Sequence, residues 1–231
     1  PRARLMSDRS SGTIERHRLQ EIVREAGRIA HSRWPGAGHE LSSWDKTPGN
    51  PVSEADLEVD RFLKRELGAL LPSAGWLSEE TADDEARLKN DLIWLVDPID
   101  GTRDYIRGRP GWAVSVALIS AGRPLIGVLA APAREEEWVS VAGQGAERNG
   151  QRLRASSRAD LAGARVPADS LMTEDRIFEM VEKPNSIALR IGMIAADEAD
   201  LVATLRWGFE WDIAAATLIA REAGAAISEA W

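Results

Sequence analysis

A mixed α/β architecture follows from two features of this sequence. Two amphipathic helical stretches precede a run of short apolar strands joined by turn residues, and after Arg154 helical and extended segments alternate. The first half therefore reads as α+β and the second as α/β. A third feature, the string Trp94-Leu95-Val96-Asp97-Pro98-Ile99-Asp100-Gly101-Thr102, marks where chemistry is expected.

Leu19, Ile22, Val23, Ala26, Ile29 and Ala30 recur at steps of three and four, which predicts a helix over 14–33. Residues 34–51, rich in Gly, Pro and Ser, read as a loop. A second helix runs from Ser53 to about Leu70, with Leu57, Phe62, Leu63 and Leu67 on its buried side. Ser53 and Asp56 have capping-box spacing, so Asp56 has a purely structural role open to it. Strands are expected at 93–96, 113–119, 125–131 and 137–142, the second and third joined through Ala121-Gly122-Arg123-Pro124. Residues 143–149, with two glycines, read as another tight connection. Beyond Arg154 the expectation is a strand at 164–166, helices at 174–181 and 186–196, and a helix at 213–223 stopped by Gly224. A last strand is expected from Ala225. No internal repeat is visible.

Composition narrows the function classes. With 231 residues and a 44% hydrophobic fraction, the chain can build one large domain or two packed ones. No apolar run approaches the ~20 residues of a membrane span, and no signal-peptide core is seen, so a cytoplasmic protein is expected. Cysteine is absent, which excludes disulfides, thiolate metal sites and cysteine nucleophiles. The net charge of −8 argues against a nucleic-acid surface, which is normally basic. His17, His31 and His39 lack metal-ligand spacing. The nine tryptophans read as packing residues.

In the Trp94–Thr102 string, Pro98 fixes its own φ and biases Asp97 toward extended backbone, while Gly101 permits a geometry other residues resist. The string reads as a rigid corner at the carboxyl end of a buried strand, holding two carboxylates and a hydroxyl together. Hard divalent cations such as Mg²⁺ take oxygen ligands of this kind. A plain strand-to-loop turn is the competing reading, since Asp, Pro and Gly are ordinary turn residues.

Three further segments accompany it. Lys46 precedes Asn50-Pro51-Val52-Ser53-Glu54-Ala55-Asp56; then come Trp76-Leu77-Ser78-Glu79-Glu80-Thr81 and Glu210-Trp211-Asp212-Ile213-Ala214-Ala215. Together, and in this order, the four segments resemble the signatures of the inositol monophosphatase superfamily, a group of metal-dependent, lithium-sensitive phosphomonoesterases. Ser78 stands where glycine is common in that family. The similarity runs from about Ile14 to Ser228.

The resemblance implies a layered αβαβα sandwich of the inositol monophosphatase/fructose-1,6-bisphosphatase type. Residues 1–153 would form an α+β subdomain with most metal ligands, and 154–231 an α/β subdomain supplying the Trp-Asp pair. It further implies that Glu79, Asp97 and the Ile99 carbonyl hold one Mg²⁺. Asp97, Asp100 and Asp212 would hold a second, and a third, weaker ion would rest on Glu79 and water. Glu79, Thr102 and Asp56 are the implied catalytic residues, with Thr102 and Asp56 orienting the attacking water. Gly101 and Thr102 would bind phosphate through backbone N–H groups, and Lys46 would balance charge. Taken alone, Asp212 is equally an N-cap residue, Glu79 part of an acidic loop, and Lys46 a surface lysine.

The implied reaction is hydrolysis of a small phosphorylated metabolite by water. Glu210-Trp211-Asp212 and Ser186-Ile187-Ala188-Leu189-Arg190 look more like bacterial 3′(2′),5′-bisphosphate nucleotidases, although Arg190 replaces a lysine common there. Inositol 1-phosphate hydrolysis is the alternative, and a non-catalytic metabolite-binding member is a third reading. A homodimer is implied by family alone, with no nucleic-acid polymer or membrane as partner. Family chains usually continue beyond the equivalent of Ile227, and residues 161–186 look short for their central connection.

Overall fold

The computed structural model describes residues 16–203 and 208–228. Two helices open the chain, α1 (Arg16–His31) and α2 (Glu54–Leu70), separated by a hairpin of β1 (Ser43–Thr47) and β2 (Asn50–Ser53). Next come β3 (Gly75–Ser78), β4 (Leu92–Asp100), a one-turn helix α3 (Thr102–Ile106), β5 (Ala113–Ser120) and β6 (Arg123–Ala131). The strands β7 (Glu136–Val141), β8 (Gly145–Arg148) and β9 (Gln151–Arg152) complete a seven-stranded sheet in sequential order. Only the first pair, β3 with β4, is parallel. A small parallel pair, β10 (Arg165–Pro167) with β11 (Glu179–Val181), precedes α4 (Ile187–Ala195) and α5 (Glu210–Glu222).

The sheet is buried on both faces because its strands alternate with period two. Trp94, Val96, Val114, Val116, Leu118 and Val128 point to one side, where they meet Leu19, Val23 and Ala26 of α1 and Val59, Leu63 and Leu67 of α2. Leu95, Ala117, Leu129 and Trp138 point to the other, against Ala188 of α4 and Ala215, Ile219 and Ala220 of α5. Each fully buried Val or Leu contributes about 1.5–3 kcal/mol relative to exposure. The small residues of α5 let it lie close to the sheet: a Cβ on Gly127 of β6 would stand 2.8 Å from the Cα of Ala215.

Mixed α/β architecture holds, and the helices other than that expected at 174–181, the four predicted strands and the Gly224 stop lie where expected, the first helix being described from Arg16. Four expectations fail. The 34–51 loop contains β1 and the start of β2, a hairpin in which β1 is exposed throughout and β2 is only four residues long, so neither offers apolar alternation. Residues 143–149 contain β8, paired with β7. Residues 174–181 are not helical: a 3-10 turn over Thr173–Asp175 leads into β11, because parallel pairing with β10 outweighs local helix preference. Residues 225–228 form no strand. The sequence reading also passed over β3, whose four residues carry too little pattern but bring Glu79 to the end of the sheet.

Candidate active site and metal centre

β3 and β4 run parallel, so their carboxyl ends open on the same edge of the sheet. β3 delivers Glu79 there, its N–H donating to the Val96 carbonyl (3.2 Å). β4 delivers Asp97 to Asp100, with a register shift against β5 between those two residues. Gly101 turns the chain at φ +94, a left-handed geometry that favours glycine. An added Cβ there would lie 2.6 Å from the Gly111 carbonyl oxygen. Thr102 then starts α3, which is anchored by Tyr105: its buried hydroxyl donates to the Ala30 carbonyl at the end of α1 (2.6 Å). From the opposite layer, α5 brings in Asp212 on its first turn.

Glu79, Asp97 and Asp212 each place one carboxylate oxygen within 4.8 Å of the others'. These carboxylates come from three separate chain segments. Asp212 also accepts from the Phe209 N–H (3.0 Å), so its capping role and its place in the cluster coexist. Asp97 accepts from the Ile99 N–H (3.0 Å). The Ile99 carbonyl accepts from the Thr102 hydroxyl (3.0 Å), which lies 3.4 Å from Asp56 Oδ1. Asp56 is held in turn through Oδ2 by the Ser53 N–H and hydroxyl (2.8 and 2.5 Å).

Asp100 sits in the same pocket but outside this trio. Its Oδ2 accepts from the Ser186 hydroxyl (2.5 Å) and the Ala188 N–H (2.7 Å), and its Oδ1 from the Ile187 N–H (3.3 Å). It therefore receives the N-terminus of α4, an interaction no sequence spacing signals. Lys46 reaches in from β1, its Nζ 3.1 Å from Glu79 Oε1 and 2.8 Å from Glu80 Oε1. Both glutamates pair with Lys46, and Glu79 alone of the two joins the cluster, Glu80 being the more buried.

The electrostatics are those of crowded, buried carboxyls. Burial pushes Asp97 well above the ordinary carboxylate range, helped by the charges of Glu79, Asp100, Asp212 and Asp56. Burial likewise raises Asp56 and Asp100 to about 7 and Asp212 to about 6, against the opposing pull of their hydrogen bonds. Glu80 is raised too, again by burial. Lys46 is pulled down by burial, but Glu80 and Glu79 outweigh this and its pKa rises. One ammonium group cannot neutralise so many clustered carboxyls. An all-oxygen donor set of this charge fits a hard divalent cation.

Comparison with known proteins agrees with this geometry. The profile of the Inositol monophosphatase family matches residues 16–230. An inositol-1-monophosphatase of Mesorhizobium japonicum is 35% identical over 226 residues, covering 91% of this chain and 84% of the relative. A fructose-1,6-bisphosphatase/inositol-1-monophosphatase of Thermotoga maritima is 29% identical over 219 residues, covering 90% and 82%. The solved structure of a Thermotoga maritima IMPase superposes with a TM-score of 0.77 at 29% identity, covering 89% of this chain and 82% of that one. Carboxylates converging from three segments, a hydroxyl beside a buried aspartate and matched relatives over nine-tenths of the chain lead to one conclusion: this protein belongs to the inositol monophosphatase family of phosphatases.

Proposed function

We propose that this protein hydrolyses a small phosphate monoester, using Mg²⁺ held by Glu79, Asp97 and Asp212, with Asp100 and the Ile99 carbonyl completing the ligand set. The observation that carries this is the convergence of those three carboxylates within 4.8 Å. Bound there, Mg²⁺ supplies the positive charge that offsets phosphate repulsion and the charge developing on attacking and leaving oxygens.

The chain's own groups do the rest. The Thr102 hydroxyl lies between the Ile99 carbonyl and Asp56, donating to one of them and leaving its lone pairs to accept from and orient a water. Asp56, whose carboxyl is held near 7, can take up a proton near neutrality, the property a general base needs. The backbone N–H groups of Gly101 and Thr102, at the start of α3, would face the phosphate. Lys46, in contact with both Glu79 and Glu80, offsets part of the negative charge at this corner.

For substrate, the runs 186–190 and 210–212 favour adenosine 3′,5′-bisphosphate, cleaved to AMP and phosphate. The names of the relatives, by contrast, favour inositol 1-phosphate at least as well. Lithium inhibition and a homodimeric state belong to the same reading. The test is initial rate with Mg²⁺ and with EDTA on adenosine 3′,5′-bisphosphate, inositol 1-phosphate and fructose 1,6-bisphosphate. No Mg²⁺-dependent phosphate release from any of them would overturn the phosphatase reading. Higher kcat/KM on inositol 1-phosphate would replace the nucleotide as substrate.

A further inference from the structure

Asp60 lies four residues after Asp56 and so on the same face of α2. Both carboxylates are buried, yet they look to different places. Asp56 turns toward Thr102, beside the β4 corner. Asp60 turns toward the β3 corner: its Oδ1 accepts from the Ser78 hydroxyl (2.5 Å) and its Oδ2 from the Thr81 hydroxyl (2.7 Å). Those two hydroxyls bracket Glu79 and Glu80. Ser78 Oγ also accepts from the Glu80 N–H (3.4 Å), so the hydroxyl links Asp60 to the backbone of the pair itself.

We propose that Asp60 is a positioning residue for the cation site, clamping the Glu79–Glu80 corner through Ser78 and Thr81 so that Glu79 meets Asp97 and Asp212. This rests on the reading that the cluster binds a divalent cation. A carboxylate suits the clamp for a chemical reason. Both partners donate, and a carboxylate accepts at either oxygen, whereas an amide offers one acceptor and one donor. With asparagine, one of the two hydroxyls would have to turn from donor to acceptor. The feature is also a poor choice for stability alone. A buried carboxylate whose hydrogen bonds come from neutral hydroxyls carries a desolvation cost. Ser78 supplies one of the two clamping hydroxyls at the position where the wider family commonly has a glycine.

The variants are Asp60→Asn, Thr81→Val and Thr81→Ser, purified after EDTA treatment. Mg²⁺ and Mn²⁺ binding is followed by titration calorimetry, unfolding by urea, and activity as a function of Mg²⁺. Groups that orient metal ligands through hydrogen bonds are typically worth about 10–100-fold in metal affinity. Asp60→Asn should weaken binding by that factor and raise the Mg²⁺ needed for half-maximal rate, with kcat at saturating Mg²⁺ within about threefold of wild type. Thr81→Val should shift affinity in the same direction, and Thr81→Ser should restore it. If Asp60→Asn fails to fold, Thr81→Val carries the test. Dissociation constants within twofold of wild type in both variants, with only the urea midpoints lowered, would overturn the proposal. Failure of the wild-type protein itself to bind either ion would instead remove the cation site on which it rests.

Discussion

Asp97 is almost fully buried and faces four other carboxyls, so its ionised form needs positive charge close by. Asp97→Asn keeps the shape and the bond from the Ile99 N–H while deleting the charge. Activity should fall by about a thousandfold, comparable to losing a principal electrostatic stabiliser of a transition state. Steady-state kinetics at saturating Mg²⁺ check this, and activity within tenfold of wild type would remove Asp97 from the cation site. Thr102→Ala should separate two functions. Its hydroxyl bonds to the Ile99 carbonyl and Asp56 and to none of Glu79, Asp97 and Asp212. Calorimetry should therefore give near-native Mg²⁺ affinity alongside a kcat lowered at least about a hundredfold, the usual worth of a positioned proton-transfer partner; collapse of metal binding would make Thr102 structural to the site. These side chains were legible because one contiguous string carries both carboxylates and the hydroxyl. Glu79 was separable from Glu80 only through motif register. The clamp formed by Asp60, Ser78 and Thr81 was not legible at all, because it joins a helix face to a turn eighteen and twenty-one residues on.

Helix ends bring the second half of the chain into the site. α5 enters through Asp212 and α4 through Ser186, and in each case the ordinary demand of a helix N-terminus for an acceptor coincides with the site's carboxylates. Ser186 does double duty: it accepts from the Leu189 N–H (2.9 Å) and donates to Asp100 (2.5 Å). Ser186→Ala loses both bonds in a fully buried place. Unfolding in urea should show a loss of about 1–3 kcal/mol, a missing cap plus a weakened buried hydrogen bond. An unchanged midpoint would mean that the Asp100 contacts to Ile187 and Ala188 suffice without it. The helix starts at Ser53 and Ser186 and the stop at Gly224 were readable, since capping chemistry is local. β1, β2 and β11 were not, because exposed or three-residue strands owe their form to a partner strand and carry no periodic signal of their own. β3 failed for the same reason, although its parallel pairing with β4 is what sets Glu79 beside Asp97.

Across the molecule, one sheet with helices on both faces converges its acidic residues on a single edge, and the charge there governs how stability responds to pH. Asp56 and Asp100 are raised to about 7 and Asp212 to about 6, and Asp97 is likewise raised well above the ordinary carboxylate range. In the unfolded chain these groups lose their protons near pH 4. Between pH 4 and 7 the native state therefore holds protons that the unfolded state has released, and stability from this source is lost as pH climbs through 6 and 7. The oppositely shifted carboxylates do not obscure the trend. Asp200, held low by Arg165, and Glu147, held low by Arg16, are ionised in both states above pH 5 and add nothing further there. The metal-free protein should melt several degrees lower at pH 7.5 than at pH 5.0, since each kcal/mol moves the Tm of a chain this size by about 2–4 °C. Millimolar Mg²⁺ should recover that loss at pH 7.5 and do little at pH 5.0, where protons already occupy the cluster and compete with the cation. Equal Mg²⁺ stabilisation at the two pH values would mean that the cation binds away from these buried carboxyls, and with it the account of this edge of the sheet as the reacting centre would fall.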